Sequence, residues 1–328
     1  MNIDLHSHFM PSTLLDYIKK HGEKIGKVYI EQDGKDWIGV IGTNWKEHFK
    51  KSFYDAETII EYMDSVRLDK VAQSLSPGMH SYKAKGEDAL DVAKLSNDWV
   101  ADFAKNRPDK FYAMASIPMQ APDLALRELE RAHKNLGIKA LMVASMINDK
   151  LLDEPEFFPI YEYCANNGVL VYLHPFYPAP FEPYTRYYTH NQVAFMTQTA
   201  NALVHLIMGG IFEKFPKLQV LASHAGGYFP YQVGRMRHVW NVRPEGKVAN
   251  IDDPEKYLKN IYFDTITHGL PARQFLVDTY GADHVVIGTD YPFDMADASP
   301  VDSVDELRLT MAERNLITHK NAERLMNL

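Results

Sequence analysis

Short apolar runs rich in β-branched residues recur along this 328-residue chain and alternate with segments of helical periodicity. Such runs, when turns bound them, are typical of strands buried on both faces of a parallel sheet. The predicted strands lie near residues 1–8, 70–75, 111–117, 138–143, 168–174, 218–224, 260–264 and 285–289. The predicted helices between them include residues 11–22, 56–68, 86–106, 122–136 and 155–167. Eight strands with intervening helices predict an α/β fold, the (β/α)8 TIM barrel.

After the first predicted strand, a segment with a different spacing of apolar residues interrupts the alternation of strands and helices. Apolar residues alternate over residues 27–41 on both sides of Asp33-Gly34, a strong signal for a two-residue hairpin turn. We therefore expect a small β-hairpin insertion at about residues 10–50, near the ligand end of the barrel. Because an α/β barrel commonly uses a chain of this length as one domain, residues 1–328 are predicted to form a single barrel domain.

Composition narrows the classes of function. The chain has 43 acidic and 35 basic residues, and this formal net charge of −8 argues against nucleic acid as the main partner. Cys164 is the single cysteine, which excludes an internal disulfide framework and suits a reducing compartment. No segment has the apolar length needed to cross a bilayer, and the N-terminus lacks the layout of a signal peptide. These features predict a cytoplasmic protein without a membrane partner.

Four histidines and one aspartate stand where predicted strands end. His6 and His8 close the first strand, His174 the fifth and His224 the sixth, and Asp290 follows the eighth. The carboxyl ends of barrel strands share one face, and residues two apart on a strand point to the same side. Imidazole nitrogens combined with a carboxylate suit Zn²⁺ or a similar divalent ion. The pattern therefore predicts a metal site at the mouth of the barrel.

His224 and Asp290 are also candidate catalytic residues. His224 precedes Ala225-Gly-Gly227, small residues that let a substrate or a neighbouring chain approach closely. From the residues alone, His224 is a fifth ligand, a base beside the metal, or a core histidine bonded to a backbone carbonyl. Asp290 can combine metal binding with proton handling, because a carboxylate has a second oxygen.

Four motifs resemble, in the same order, those of the amidohydrolase superfamily: His6-Ser-His8, His174-Pro175, His224-Ala-Gly-Gly227 and Gly288-Thr-Asp-Tyr-Pro-Phe293. More narrowly, they resemble its mononuclear branch, the amidohydrolase-2 family around α-amino-β-carboxymuconate-ε-semialdehyde decarboxylase, over nearly the whole chain. The resemblance implies four ligands for one divalent metal: His6, His8, His174 and Asp290. Zn²⁺ is the expected ion and Mn²⁺ the alternative. The resemblance also implies that His224 assists a metal-bound water.

Substrate contacts follow from the same resemblance. Arg235 matches a family arginine that reaches into the partner subunit's site and binds a substrate carboxylate, so a homodimer is expected. A salt bridge on a helix surface would also explain Arg235. Phe176 and Phe293 are expected to form aromatic walls, although core packing would also place them. Lys46 lies in the insertion, where the family has a second carboxylate-binding arginine, and would act there as a point charge.

These features favour a metal-dependent, non-oxidative decarboxylase of a small unsaturated or aromatic carboxylic acid, of the carboxymuconate-semialdehyde type. A mononuclear zinc hydrolase or hydratase is the alternative, because water attack on a carbonyl or double bond needs the same ligands and the same base. A purely structural metal is a third interpretation, but structural zinc usually has a closed, often cysteine-rich ligand set. The irregular stretch Pro175–Tyr188 is a candidate substrate wall.

Overall fold

The computed structural model describes residues 1–43, 45–176, 182–249 and 252–327. The strands in these ranges are β1 (Ile3–Phe9), β2 (Lys27–Gln32), β3 (Lys35–Val40), β4 (Lys46–His48), β5 (Lys70–Leu75), β6 (Phe111–Ala113), β7 (Ala140–Ala144), β8 (Leu170–His174), β9 (Val220–Ala222), β10 (Ile261–Asp264) and β11 (Val285–Val286). The α-helices are α1 (Ser12–His21), α2 (Ala56–Ser65), α3 (Gly86–Asn106), α4 (Pro122–Leu136), α5 (Phe158–Asn167), α6 (Met196–Met208), α7 (Ile211–Lys214), α8 (Phe229–Val242), α9 (Leu270–Tyr280), α10 (Pro300–Asp305), α11 (Met311–Asn315) and α12 (Asn321–Leu325). None of the helices in the described ranges has both the length and the apolar character needed to span a membrane.

Eight parallel strands form the centre of the fold. β1, β5 and β6 make one sheet in that order, and β7 to β11 make a second sheet in chain order. Parallel bridges join the edges of the two sheets, from Ala115 to Leu141 on one side and from Asp4 to Ile287 on the other. The eight strands therefore follow one another around a ring, which is the strand order of a (β/α)8 barrel.

The barrel interior has a core of its own, in which residues such as Leu5 and Met142 pack against Leu325 of α12. In β1 the register against β5 shifts between Asp4 and Ser7, so one extra residue is inserted there. Because of this bulge, Leu5 can join the interior core while the next residue, His6, also turns inward at the mouth.

Residues 27–48 form a three-stranded antiparallel sheet in the order β2-β3-β4. β2 and β3 pair across Asp33-Gly34, where the sequence predicted a hairpin, and both turn residues have positive φ (54° and 66°) as a type I′ turn requires. β4 was not predicted and pairs with β3. Successive side chains of β4 point to opposite faces of the sheet, so Lys46 is exposed and Glu47 is buried.

Predicted and observed strands differ most at the mouth of the barrel. β9 ends at Ala222 and β11 at Val286, whereas the predicted strands continued to residues 224 and 289. His224 and Asp290 have φ values of 51° and 64°, which lie outside the conformation of a strand. The chain therefore leaves the sheet shortly before each of these two side chains.

Candidate metal centre

Five side chains that the sequence identified as ligands or base meet at the carboxyl ends of the strands. The Nε2 atoms of His6 and His8 are 3.2 Å apart, and Asp290 Oδ1 lies 3.2 Å and 3.0 Å from them. Asp290 Oδ2 lies 3.3 Å from His224 Nε2. One ligand atom from each of four of them lies within 4.8 Å of the others: His6, His174, His224 and Asp290. Ligand atoms about 2.1 Å from one ion would be roughly 3.4 Å apart in a tetrahedron, so this spacing suits a single ion.

Three of the imidazoles are oriented in the same way, by a hydrogen bond from Nδ1: His6 to Asp264 Oδ2 (2.7 Å), His8 to Ser74 Oγ (3.1 Å) and His174 to the carbonyl oxygen of Pro175 (2.8 Å). Ser74 donates its own proton to the Ser7 carbonyl, so its oxygen is available to accept from His8. With a metal ion bound, each of these rings would present the lone pair of Nε2 to it, as metal-binding histidines usually do. The Nε2 atom of His174 is buried and has no hydrogen-bond partner in the described ranges, which fits a metal ligand.

His224 is held differently from the other three histidines. Its backbone N–H donates to Asp264 Oδ2 at 2.8 Å, but its ring Nδ1 is buried and has no partner among the residues described. Among the described residues, Asp290 is thus the only hydrogen-bond partner of the ring, and it lies on the Nε2 side. Because no partner holds Nδ1, the tautomer of this ring is not fixed by a hydrogen bond as it is in the other three histidines. This geometry suits a proton-transfer group beside the metal.

Asp264 connects these groups and was missed in the sequence. Its Oδ2 accepts from His6 and from the His224 N–H, and its Oδ1 accepts from the N–H groups of Ala225 (2.7 Å) and Ile266 (3.0 Å). The carboxylate is fully buried at the end of β10. It holds His224 and Ala225 in the left-handed region (φ 51° and 52°) while it orients the ring of His6. Its position at the end of a predicted strand was the one signal that could have identified it.

The buried charges are unevenly distributed among the side chains of this cluster. Burial lowers the pKa of His8 to about 4 and that of His174 well below its usual value. Burial also lowers the pKa of His6, but Asp290 and Asp264 outweigh this effect and raise it to about 10. Burial disfavours the charged form of Asp290, yet His6 and the hydrogen bonds from the histidines hold its pKa well below the usual range. An ionised carboxylate among imidazoles is a donor set suited to a divalent cation.

A small pocket lies next to these side chains, and His174, His224 and Asp290 form part of its wall. Its aromatic walls include Trp45 and both predicted residues, Phe176 and Phe293. The Phe293 ring is 5.0 Å from the ring of His8. Polar residues complete the wall: Tyr188, His190, Asn191 and Asp294. Of the predicted wall Pro175–Tyr188, residues 177–181 lie outside the described residues.

Two predicted substrate contacts do not lie in this pocket. Lys46 is exposed, and its Nζ donates to Gln32 Oε1 at 2.6 Å and lies 5.1 Å over the Trp37 ring. The alternation of β4 turns Lys46 away from the barrel, and Lys46 does not line this pocket. Arg235 is exposed on α8 and does not contribute to the pocket wall of its own chain.

The ring of parallel strands and the histidine–aspartate cluster at their carboxyl ends define a metal-dependent barrel. Residues 3–328 match the family described as Amidohydrolase, and the chain belongs to this family. It is 32% identical to 2-amino-3-carboxymuconate-6-semialdehyde decarboxylase of Dictyostelium discoideum, over 96% of this chain and 89% of that protein. It is 28% identical to gamma-resorcylate decarboxylase of Rhizobium radiobacter, over 92% of this chain and 98% of that protein. The fold also matches that of 5-carboxyvanillate decarboxylase from Novosphingobium aromaticivorans, solved with manganese, at a TM-score of 0.84 and 23% identity over 100% of this chain and 96% of the other.

Proposed function

We propose that the protein is a metal-dependent, non-oxidative decarboxylase of a small unsaturated or aromatic carboxylic acid. The observation that carries the proposal is the set of oriented imidazoles around Asp290, beside a pocket with aromatic walls. The two curated relatives described above are both named decarboxylases, which favours cleavage of a carbon–carbon bond over the hydrolase or hydratase alternative.

His6, His8, His174 and Asp290 would hold the metal. When bound, a divalent ion supplies positive charge that stabilises negative charge developing on the substrate as CO₂ leaves. Three nitrogen donors and one carboxylate suit Zn²⁺, which is our first choice. Manganese in the structure of 5-carboxyvanillate decarboxylase makes Mn²⁺ the alternative.

His224 and Asp290 would handle the proton. Loss of CO₂ breaks a carbon–carbon bond and leaves its electron pair on the substrate carbon, which must then take up a proton. The 3.3 Å separation between His224 Nε2 and Asp290 Oδ2 allows a proton to pass between them. Both residues line the pocket, so either one can face the reacting carbon.

We also propose that Arg235 binds the substrate carboxylate in the site of a second copy of the chain. The side chain of Arg235 has no hydrogen bond or ion pair within the described part of its own chain, whereas that of Arg237 on the same helix forms two ion pairs. Tyr231 and Val239, four residues before and after Arg235, lie on the same side of α8 and are exposed. Exposed apolar side chains around an unpaired guanidinium fit the interface of a homodimer.

Metal content and CO₂ release test the main proposal together. The purified protein is subjected to elemental analysis and assayed on carboxymuconate semialdehydes, dihydroxybenzoates and simple lactones or esters. We expect one zinc or manganese per chain and CO₂ release from at least one acid. One metal with hydrolysis but no CO₂ would support the alternative, and protein without metal after zinc or manganese supplementation would refute the site itself.

Mixed dimers test the proposed role of Arg235. Arg235→Ala and His174→Ala proteins, each expected to be nearly inactive, are unfolded, mixed and refolded together. If Arg235 acts across the interface, random pairing restores about one functional site in four, because one heterodimer site then has both its metal and its arginine. Heterodimers without recovered activity would refute a role in the neighbouring site.

A further inference from the structure

A second, smaller cavity lies next to the pocket at the metal centre, and the loop that follows β5 borders both. Pro77 and Gly78 of this loop line the pocket, whereas His80 lines the cavity. The ring of Tyr82, also in the cavity wall, packs edge-on against Phe176 of the pocket wall, with 5.7 Å between the ring centres. Within the described ranges the two spaces have no lining residue in common. The cavity is therefore separate from the proposed active site but borders on its wall.

Three polar atoms in the cavity wall are buried without a hydrogen-bond partner among the residues described: His80 Nε2, Ser116 Oγ and Gln120 Oε1. His80 is 4% exposed and Ser116 is 3% exposed. Ser116 and Gln120 lie in the segment between β6 and α4, so the three atoms come from two different loops. Buried polar atoms in native proteins nearly always have a partner. Three exceptions around one cavity indicate a bound molecule that they share.

The size of the cavity limits this molecule to a very small one. The centre of a water-sized sphere can move through about 10 Å³ of the cavity, which is room for one water molecule. Buried waters typically make about three hydrogen bonds to polar groups that lack other partners. The number of unpartnered atoms in the wall is therefore the number that one water can satisfy.

The charges around the cavity favour a neutral molecule. No aspartate, glutamate, lysine or arginine is among the described residues that line it, so the wall has no counter-charge for an ion. Burial and the nearby charge of Lys27 lower the pKa of His80 to about 3, so its ring is neutral. The amide oxygen of Gln120 can only accept a hydrogen bond, whereas the hydroxyl of Ser116 can donate one. The bound molecule must therefore both donate and accept, as water does.

The loop after β5 is already held at its backbone by three other parts of the chain. Three consecutive carbonyl oxygens accept hydrogen bonds from distant side chains: that of His80 from Lys27 Nζ (3.0 Å), that of Ser81 from Gln120 Nε2 (2.9 Å) and that of Tyr82 from Asn148 Nδ2 (2.9 Å). These contacts fix the main chain but leave the Nε2 atom of His80 without a partner. A water in the cavity would connect this ring to the segment after β6.

We propose that one internal water molecule occupies the cavity and bonds to His80 Nε2, Ser116 Oγ and Gln120 Oε1. The water donates to Gln120 and accepts from Ser116, and the tautomer of His80 decides the direction of the third bond. It links the loop after β5, which carries Pro77 and Gly78 of the pocket wall, to the segment between β6 and α4. The water site thus helps to hold one side of the pocket in place.

A crystal structure of the wild type, at a resolution that places individual waters, tests the site directly. We expect density for one water within about 3.2 Å of each of the three atoms. In Ser116→Val a methyl group takes up part of the cavity, while the backbone N–H of residue 116 can still donate to Asn97. Magnetic relaxation dispersion of the solvent should then detect one long-lived internal water fewer than in wild type. Ser96→Ala is the matched control, because Ser96 Oγ is also buried and unpartnered within the described ranges but does not line the cavity.

Hydrogen exchange tests whether the water holds the loop. The amides of Met79, His80 and Ala84 are bonded within the loop, and in Ser116→Val they should exchange about threefold to tenfold faster, the scale of one lost hydrogen bond. Exchange that is unchanged, or that is equally fast in Ser96→Ala, would overturn this role. A wild-type structure with no density between the three atoms, or with a direct bond from His80 to Gln120, would overturn the water site itself. If Ser116→Val does not fold, Ser116→Ala removes one partner and should lower the occupancy of the water, and full occupancy would contradict the bond to Ser116.

Discussion

The substitution Asp264→Asn keeps the size of a buried side chain but removes its charge and one acceptor. The carboxylate accepts four hydrogen bonds, two at each oxygen. The amide oxygen can keep two of them, while the amide nitrogen is a donor and would face the other two N–H groups. Each buried N–H left without an acceptor costs about 1–3 kcal/mol. We therefore expect the free energy of unfolding to fall by about 2–6 kcal/mol, the sum over two such groups.

The same substitution should weaken metal binding, because Asp264 orients the ring of His6. Loss of such an orienting partner typically costs 10–100-fold in metal affinity or activity. Affinity is measured by competition with a chelator, and stability by denaturant unfolding of the metal-free protein. Asp149→Asn is the control, since Asp149 is exposed on a turn. A metal affinity within about twofold of wild type would refute the orienting role, since the expected loss is at least about tenfold.

His174→Ala should abolish stoichiometric metal binding by elemental analysis, and one ion per chain in this variant would contradict the ligand set. His224→Ala should retain its metal while turnover falls by about a hundredfold or more, whereas full activity would leave His224 with a structural role. Gly78→Ala would force a Cβ into the indole of Trp45 and displace this part of the pocket wall. KM should therefore rise while the metal content stays unchanged. An unaltered KM would show that Trp45 does not contact the substrate. Glu47→Gln should change how stability depends on pH. The folded wild type keeps a proton up to about pH 8 that the unfolded chain releases near 4.5, so its stability relative to the variant falls as pH rises between these values. If the free energies of unfolding of wild type and Glu47→Gln differ by the same amount at every pH in this range, Glu47 does not have the raised pKa expected from its burial.

The metal centre was readable from the sequence because parallel strands bring their carboxyl ends to one face. Once His6, His174 and Asp290 were recognised at strand ends, their proximity followed from the fold. Asp264 also ends a strand, but three of its four partners are backbone N–H groups, two of them on the distant turn at His224 and Ala225 and one at Ile266 just after it. The positions of these N–H groups are not visible in residue types. The difference between His224 and the other histidines likewise depends on what Nδ1 contacts in the folded chain.

The pocket was less predictable than the metal centre. β4 has three residues, too few to show a period of two in the sequence, and a shift of one residue exchanges the two faces of a strand. The sequence therefore could not show that Lys46 is exposed while the next residue, Glu47, is buried. The walls also come from separate segments around Trp45, Phe176 and Phe293, and their combination is set only by tertiary packing. The single-domain organisation and the homodimer remain predictions.

The position of the proposed ligands along the chain would affect how the protein acquires its metal. His8 and Asp290 contact each other across 282 residues. At about 5–20 residues per second, a ribosome needs roughly 15–55 s to synthesise the chain between them. During this time the nascent chain presents only an incomplete set of donors, so metal loading must follow translation. The ion found in the purified protein will then depend on which divalent metals the expression culture supplies, and growth with zinc or with manganese should be compared before either is assigned as native.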